Sequence, residues 1–228
     1  VASGVRADLA LRDAEALAAY TGEFTGGQLK VAPEHCSAAV LDKMGKPHIE
    51  SYKRFCKMFY DFTGKENKDQ YVVPYLMSSH PGSTLSDAVE LALFCKRENI
   101  HPKQVQDFYP TPSTISTCMY YTGLDPRNME PVYVPVNPHE KAMQRALIQY
   151  RNPRNYDLVT EALKIAGRTD LIGYDRKCLI RPRDGYRGGG TVPAAGKAKG
   201  TGYKAAGQGS RGQKPKKTIR NIHKKKGT

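Results

Sequence analysis

Apolar residues in this chain recur at two spacings, and the switches between them mark the elements. Three short β-prone runs stand at Leu29-Lys30-Val31, at Tyr71-Val72-Val73-Pro74-Tyr75-Leu76-Met77 and at Val105-Gln106-Asp107-Phe108-Tyr109. Each breaks into a polar turn built around proline: Ala32-Pro33-Glu34-His35, then Ser78-Ser79-His80-Pro81-Gly82-Ser83-Thr84, then Pro110-Thr111-Pro112-Ser113-Thr114. Helical spacing fills the intervals. Ser37 to Met44 predicts a short helix closed by Gly45 and Pro47, and Ile49–Phe62 a stronger one with Tyr52, Phe55, Cys56 and Phe59 on one stripe. A third helix starts at Thr84-Leu85-Ser86-Asp87, a capping pattern, carries Leu85, Ala88, Val89, Ala92 and Cys95 on one face and ends at Asn99. Strands alternating with helices predict an α/β fold with a parallel sheet. In such sheets ligands sit beyond the carboxyl ends of the strands, where these turns lie.

The flanks read differently. Residues 5–20 predict a helix with an imperfect apolar face, followed by Thr25-Gly26-Gly27 at the entry to the first strand. From Asp125 to Pro138 four prolines mark an extended boundary. Two helices are predicted beyond it. His139–Tyr150 places Ala142, Met143, Ala146, Leu147 and Tyr150 on one face; the second has Asn152 as N-cap and Pro153 at its first position, and stops at Gly167. This gives three regions: an α/β part over 1–124, a small helical part over 125–182, and a Gly/Lys-rich tail over 183–228 expected to be disordered. The helical part is too small to fold alone and should pack on the α/β part.

Charge changes the picture at the tail only. From Arg181 onward there are 14 Lys and Arg against one acid, a net of +13 out of +14 for the chain, so residues 1–180 are nearly neutral. Partner arguments from charge apply to the tail, where nonspecific binding to nucleic-acid phosphates competes with a merely solubilising role. Only Tyr186 and Tyr203 are present there for base stacking. No run of 18 apolar residues exists, so no membrane span is expected. The five cysteines (Cys36, Cys56, Cys95, Cys118 and Cys178) are dispersed, the nearest pair 20 residues apart. That spacing disfavours a disulfide framework and fits a reducing cytoplasm. The chain starts at Val1 without a methionine, which is expected of a piece of a longer gene product.

The strings GQLKVAPEHCS, VLDKMGKP, YLMSSHPGSTL, QDFYPTPSTIST and YTGLDP resemble the YgiQ-type radical S-adenosylmethionine (SAM) proteins. The resemblance covers roughly Gly27 to Pro182. The strand-turn order is also similar to the later half of the barrel in the related methylthiotransferases. It implies that the three strands are strands four to six of an open (β/α)6 partial barrel, followed by the small helical region and the basic tail. It further implies SAM and a [4Fe–4S] cluster as cofactors. The thiolate loop C-x-x-x-C-x-x-C that would hold the cluster is absent from this chain. The missing N-terminal half of the same protein is therefore an implied partner, besides SAM and a substrate that the residues do not identify. Three strands cannot close a barrel, so an edge should be left for that half.

By the same comparison Lys30, Glu34 and His35 would face the ribose and methionine parts of SAM. A carboxylate accepts from hydroxyls or an ammonium, and a lysine pairs with a carboxylate. The alternative to that ligand contact is a helix start with Glu34 answering the helix dipole and His35 exposed. Ser78, Ser79, His80 and Gly82 form the second cofactor-side set, where glycine permits close backbone approach and Ser83 and Thr84 open a helix able to hold an anion. The alternative is a plain proline-glycine turn with a good N-cap. Asp107, Tyr109, Thr111 and Thr114 form a substrate-side set, with Asp107 open to an ion pair with a neighbouring Lys or Arg instead. Tyr120, Tyr121 and Asp125 read either as a cover over the barrel mouth or as packing. Cys36 and Cys118 follow polar turns and read either as thiols near the expected site or as inert packing, Cys36 being the one to test. Three functions compete: part of a radical SAM enzyme, a nucleic-acid-associated accessory protein acting through its tail, and a small α/β enzyme holding an anion at Ser83 and Thr84.

Overall fold

Leu29 and Val31 on the first strand and Leu76 on the second are almost wholly buried, and the helices that cover them dictate the architecture. A computed structural model describes residues 5–183, and the basic tail lies outside the described residues. Within these bounds β1 (Gln28–Glu34), β2 (Tyr71–Ser78) and β3 (Gln106–Asp107) form a parallel sheet in the order β1-β2-β3. The expected parallel α/β pattern is present. α1 (Ala7–Ala10) and α2 (Ala14–Gly22) precede the sheet, α3 (Ala38–Met44) and α4 (Ile49–Lys65) connect β1 to β2, and α5 (Leu85–Arg97) connects β2 to β3. α6 (Ile115–Thr122), α7 (Pro138–Ile148) and α8 (Tyr156–Ile165) follow.

Two cores meet on α5. One face of the sheet packs Leu29, Val31 and Leu76 against Leu17 of α2, Leu41 of α3, Phe55 and Phe59 of α4, and Leu91, Phe94 and Cys95 of α5. The opposite side of α5 gives Ala88, Val89 and Ala92 to a second core with Met143, Ala146 and Leu147 of α7 and Val159, Ala162 and Leu163 of α8. The late helices thus share a core with α5. Each fully buried Leu or Phe contributes about 2 kcal/mol of apolar transfer. Truncating Phe59, which has no exposure, to alanine should therefore cost about 3–5 kcal/mol, read as a lower urea midpoint at unchanged m-value.

The other face of the sheet carries Gln28, Lys30, Tyr71, Val73, Tyr75 and Met77, all exposed or half-buried. Its two edges differ. Val5 makes an isolated parallel bridge to Val31 of β1 and donates its N–H to the Lys30 carbonyl at 2.9 Å. On the other side β3 pairs with β2 only at Met77 and Ser78. The exposed stretch of β2 is blunted. Tyr71 donates to Gly27 on the β1 side, so the Val72 N–H faces away from β1, and it reaches the Tyr60 hydroxyl at 3.2 Å. Pro74 has no N–H to offer, which is how a proline is accommodated inside this strand.

Four elements differ from the sequence expectation. The helix over 5–20 is two helices, broken at Arg12-Asp13, where the Asp13 side chain caps α2 by accepting from Ala16 N–H. β3 is two residues long rather than five, although the Phe108 N–H just beyond it still donates to the Ser78 carbonyl at 2.8 Å. α6 has no counterpart in the hydrophobic pattern: Met119 is its one buried residue, and Ile115-Ser116-Thr117 has weak helix propensity. It is held instead by Thr114, which accepts from Thr117 N–H, and by a left-handed Gly123. The second helix expected after the proline-rich boundary starts as a 3-10 turn over Pro153–Asn155 and becomes α-helical at Tyr156.

Candidate functional site

The three turns at the carboxyl ends of the strands share a backbone feature. Glu34 (φ 64°), Ser79 (φ 62°) and Ser113 (φ 64°) are all left-handed, a conformation costing a non-glycine residue about 1–2 kcal/mol. Such strain is kept where surrounding contacts impose it, and it concentrates at ligand sites. The second turn also contains Gly82 at φ 91°, where an added Cβ would lie 3.1 Å from Lys43 Cγ.

The side chains at the first two turns fall into open and satisfied groups. Glu34 Oε1 accepts from Lys46 Nζ at 3.0 Å, while its Oε2 is buried without a hydrogen-bond partner. Ser79 is buried, and its Oγ too has no partner. An unsatisfied buried polar group costs about 1–3 kcal/mol, so two at adjacent strand ends ask for an explanation. Lys30 lies on the open sheet face with its ammonium 5.9 Å from the Tyr75 ring centroid. His35 is buried rather than exposed: its Nδ1 accepts from Ser37 N–H at 3.0 Å, and burial lowers the imidazole to about 4. His80 is likewise buried and lowered to about 4 by burial. The Pro81 carbonyl can only accept, so His80 Nδ1 carries the proton and donates to it at 2.7 Å, leaving Nε2 to accept from the Ser116 hydroxyl at 2.8 Å. Ser78 is buried and donates its hydroxyl to Asp107. Gly82 N–H donates to the Tyr133 carbonyl at 2.7 Å.

The third turn is more open. Asp107 is clamped by Arg145 through both oxygens, with Nε–Oδ1 at 2.9 Å, so the ion pair weighed as its alternative is present. Tyr109 is 82% exposed. The Thr111 carbonyl accepts from the hydroxyls of Thr114 and Thr117, and Thr114 caps α6. Asp125 is buried between Lys43 (3.0 Å) and Arg127 (2.8 Å). Hydrogen bonds from Arg127 and Lys43 hold its carboxyl well below the usual range and fasten the 123–132 turn to α3. Tyr120 stacks edge-on with exposed Tyr121 and at 5.6 Å with Phe108.

Sequence reasoning missed Gln144 and Arg145, which bring α7 onto these turns. Of the two readings open for Cys36 the structure has the packing one: the thiol lies in the core and is pushed up to about 12 by burial, an inert state. Among the described residues no cluster of His, Cys, Asp or Glu has the arrangement of a metal site, and no helix is long and apolar enough to cross a membrane. A cavity of about 830 Å³ lies along the blunted edge of β2 against α4 and residues 98–104, away from the strand-end turns.

Fold and site together define a parallel βα protein with a polar, strained strand-end face. The chain belongs to the family described as "Domain of unknown function (DUF3362)", whose profile matches residues 103–227. It is similar to proteins named UPF0313 protein. The relative from Methanosarcina mazei is 53% identical over 184 residues, 81% of this chain and 29% of the relative. That from Methanocella arvoryzae is 50% identical over 182 residues, 80% of this chain and 30% of the relative. One from Clostridium perfringens is 47% identical over 228 residues, 99% of this chain and 34% of the relative. The chain therefore spans about a third of the length of the curated relatives it matches.

Proposed function

We propose that this chain is the C-terminal part of a radical SAM enzyme, supplying part of the SAM pocket and one wall of the substrate site. The observation that carries this reading is the pair Glu34 and Ser79: adjacent parallel strand ends, both left-handed, each with a buried side-chain oxygen lacking a partner. A carboxylate oxygen accepts from ribose hydroxyls or an α-ammonium, and a serine hydroxyl donates or accepts, so the donor set fits the polar parts of SAM. The cysteines of this chain do not fit a [4Fe–4S] cluster. Cys36 and Cys95 are buried with thiols raised to about 12 by burial, and the cluster ligands would come from another part of the protein. With such a cluster, SAM would supply hydrogen-atom abstraction from a substrate. The residues here would bind and orient: Glu34 and Ser79 on SAM, with Ser78, His80 and Gly82 shaping the turn after β2 and Lys30 presenting its ammonium from the open sheet face. Tyr109, Thr111 and Thr114 would line the substrate side.

Calorimetric titration of SAM into the longer protein carrying this segment tests the reading. Glu34→Gln and Ser79→Ala should each weaken binding about tenfold, or about 1.4 kcal/mol. Unchanged affinity in both variants would remove the strand-end site from SAM recognition.

A further inference from the structure

Gln144 has no solvent exposure, which is rare for a glutamine, and it sits on α7, within the segment matched by the DUF3362 profile. Its Oε1 accepts from Ser79 N–H at 3.1 Å and from the Ser83 hydroxyl at 3.1 Å; its Nε2 donates to the Ser83 carbonyl at 2.9 Å and to Glu140 Oε1 at 3.3 Å. The orientation of the amide is unambiguous, because a backbone N–H only donates and a carbonyl only accepts. One side chain thus grips both ends of the turn after β2. Its helical neighbours hold the rest of the rim. Arg145 clamps Asp107 at the end of β3, and the Lys141 ammonium lies 5.1 Å from the Tyr120 ring on α6. The segment leading into α7 adds the Tyr133 carbonyl on Gly82 N–H.

We infer that α7 is a positioning helix for the strand-end site, with Gln144 holding Ser79 in the left-handed conformation that leaves its hydroxyl free of protein partners. The late helical region then sets the geometry, and so the affinity, of a site built on strands that precede it. The affinity part rests on the SAM reading above; the positioning part does not.

Hydrogen exchange on the full chain separates the two. Gln144→Leu conserves volume but leaves Ser79 N–H without its acceptor, and Ser79 amide exchange should accelerate at least tenfold while the β2 and α5 core amides keep their rates. Gln144→Glu, held protonated by burial and by the adjacent Glu140, keeps both acceptor bonds, donates its own proton to the Ser83 carbonyl and should restore most of the Ser79 protection. An unchanged Ser79 rate in Gln144→Leu, or equal acceleration of Ser79 and the core amides in both variants, overturns the inference. SAM titration alongside should show at least tenfold weaker binding in Gln144→Leu and a smaller loss in Gln144→Glu. If the unsubstituted protein binds no SAM, the SAM reading falls, and the exchange rates still decide whether Gln144 positions Ser79.

Discussion

Acidification from neutral pH to about pH 4 is expected to remove up to about 3 kcal/mol of stability for each of two buried histidines, His35 and His80. Burial is the main cause for both, holding each ring at about 4 against an ordinary 6.5. His35 feels two further charges, Asp87 raising its pKa and His80 lowering it; His80 is raised somewhat by the Pro81 carbonyl. Above pH 6.5 both rings are neutral in the folded and unfolded chains, so the full stability is present. As pH falls, the unfolded chain takes up protons that the folded chain refuses. Stability therefore drops progressively between about 6.5 and 4 and levels off below. A domain of this size has a total of about 5–15 kcal/mol, so the combined loss is enough to unfold a marginal protein. Urea midpoints measured at several pH values in this window check it. His80→Gln should flatten the slope by about half, and a midpoint constant from pH 7 to 4.5 would show that the rings are not buried in solution.

The same two histidines mark where sequence reading succeeded and where it stopped. The three strand-end turns, the α4 stripe and the Thr84–Asp87 cap were legible because each is a local pattern, decided within one or two helical turns or by one proline. The burial of His35 was not legible, since the ring sits close to Asp87 of α5, a residue distant in sequence, and no local pattern announces it. Gln144 and Arg145 were invisible for a similar reason. On the helical pattern they fall between apolar positions as surface residues, and their partners are 61 and 38 residues away. The left-handed Glu34 and Ser79 carried no glycine to announce them. In the second turn the glycine signal drew notice to Gly82, while the strained residue with the unpartnered hydroxyl is Ser79.

Replacing Asp87 with alanine is expected to cost about 2–4 kcal/mol, because its carboxylate joins two helix starts under the turns. Oδ2 accepts from the Thr84 N–H at 3.0 Å and the Thr84 hydroxyl at 2.6 Å, completing the cap of α5, and Oδ1 accepts from the Ser37 hydroxyl at 2.7 Å at the start of α3. Burial pushes the carboxyl up, but the hydrogen bonds from Thr84 and Ser37 and the nearby His35 outweigh it, so the net displacement is downward. The contribution of Asp87 is therefore present above the ordinary carboxyl range and is lost as pH falls through its lowered value, a window below that of the histidines. At neutral pH Asp87→Ala should lower the melting temperature by roughly 5–15 °C, at about 2–4 °C per kcal/mol for a chain of this size. Asp87→Asn keeps the shape and one acceptor and should lose less. Asp87→Ala also strips His35 of the charge that favours its protonated form, so the His35 ring should titrate lower still in the variant by NMR. A variant that melts with the unsubstituted protein and leaves the His35 titration unmoved would mean that α3 and α5 are fastened elsewhere. The strand-end turns would then lack the floor on which Glu34 and Ser79 are set.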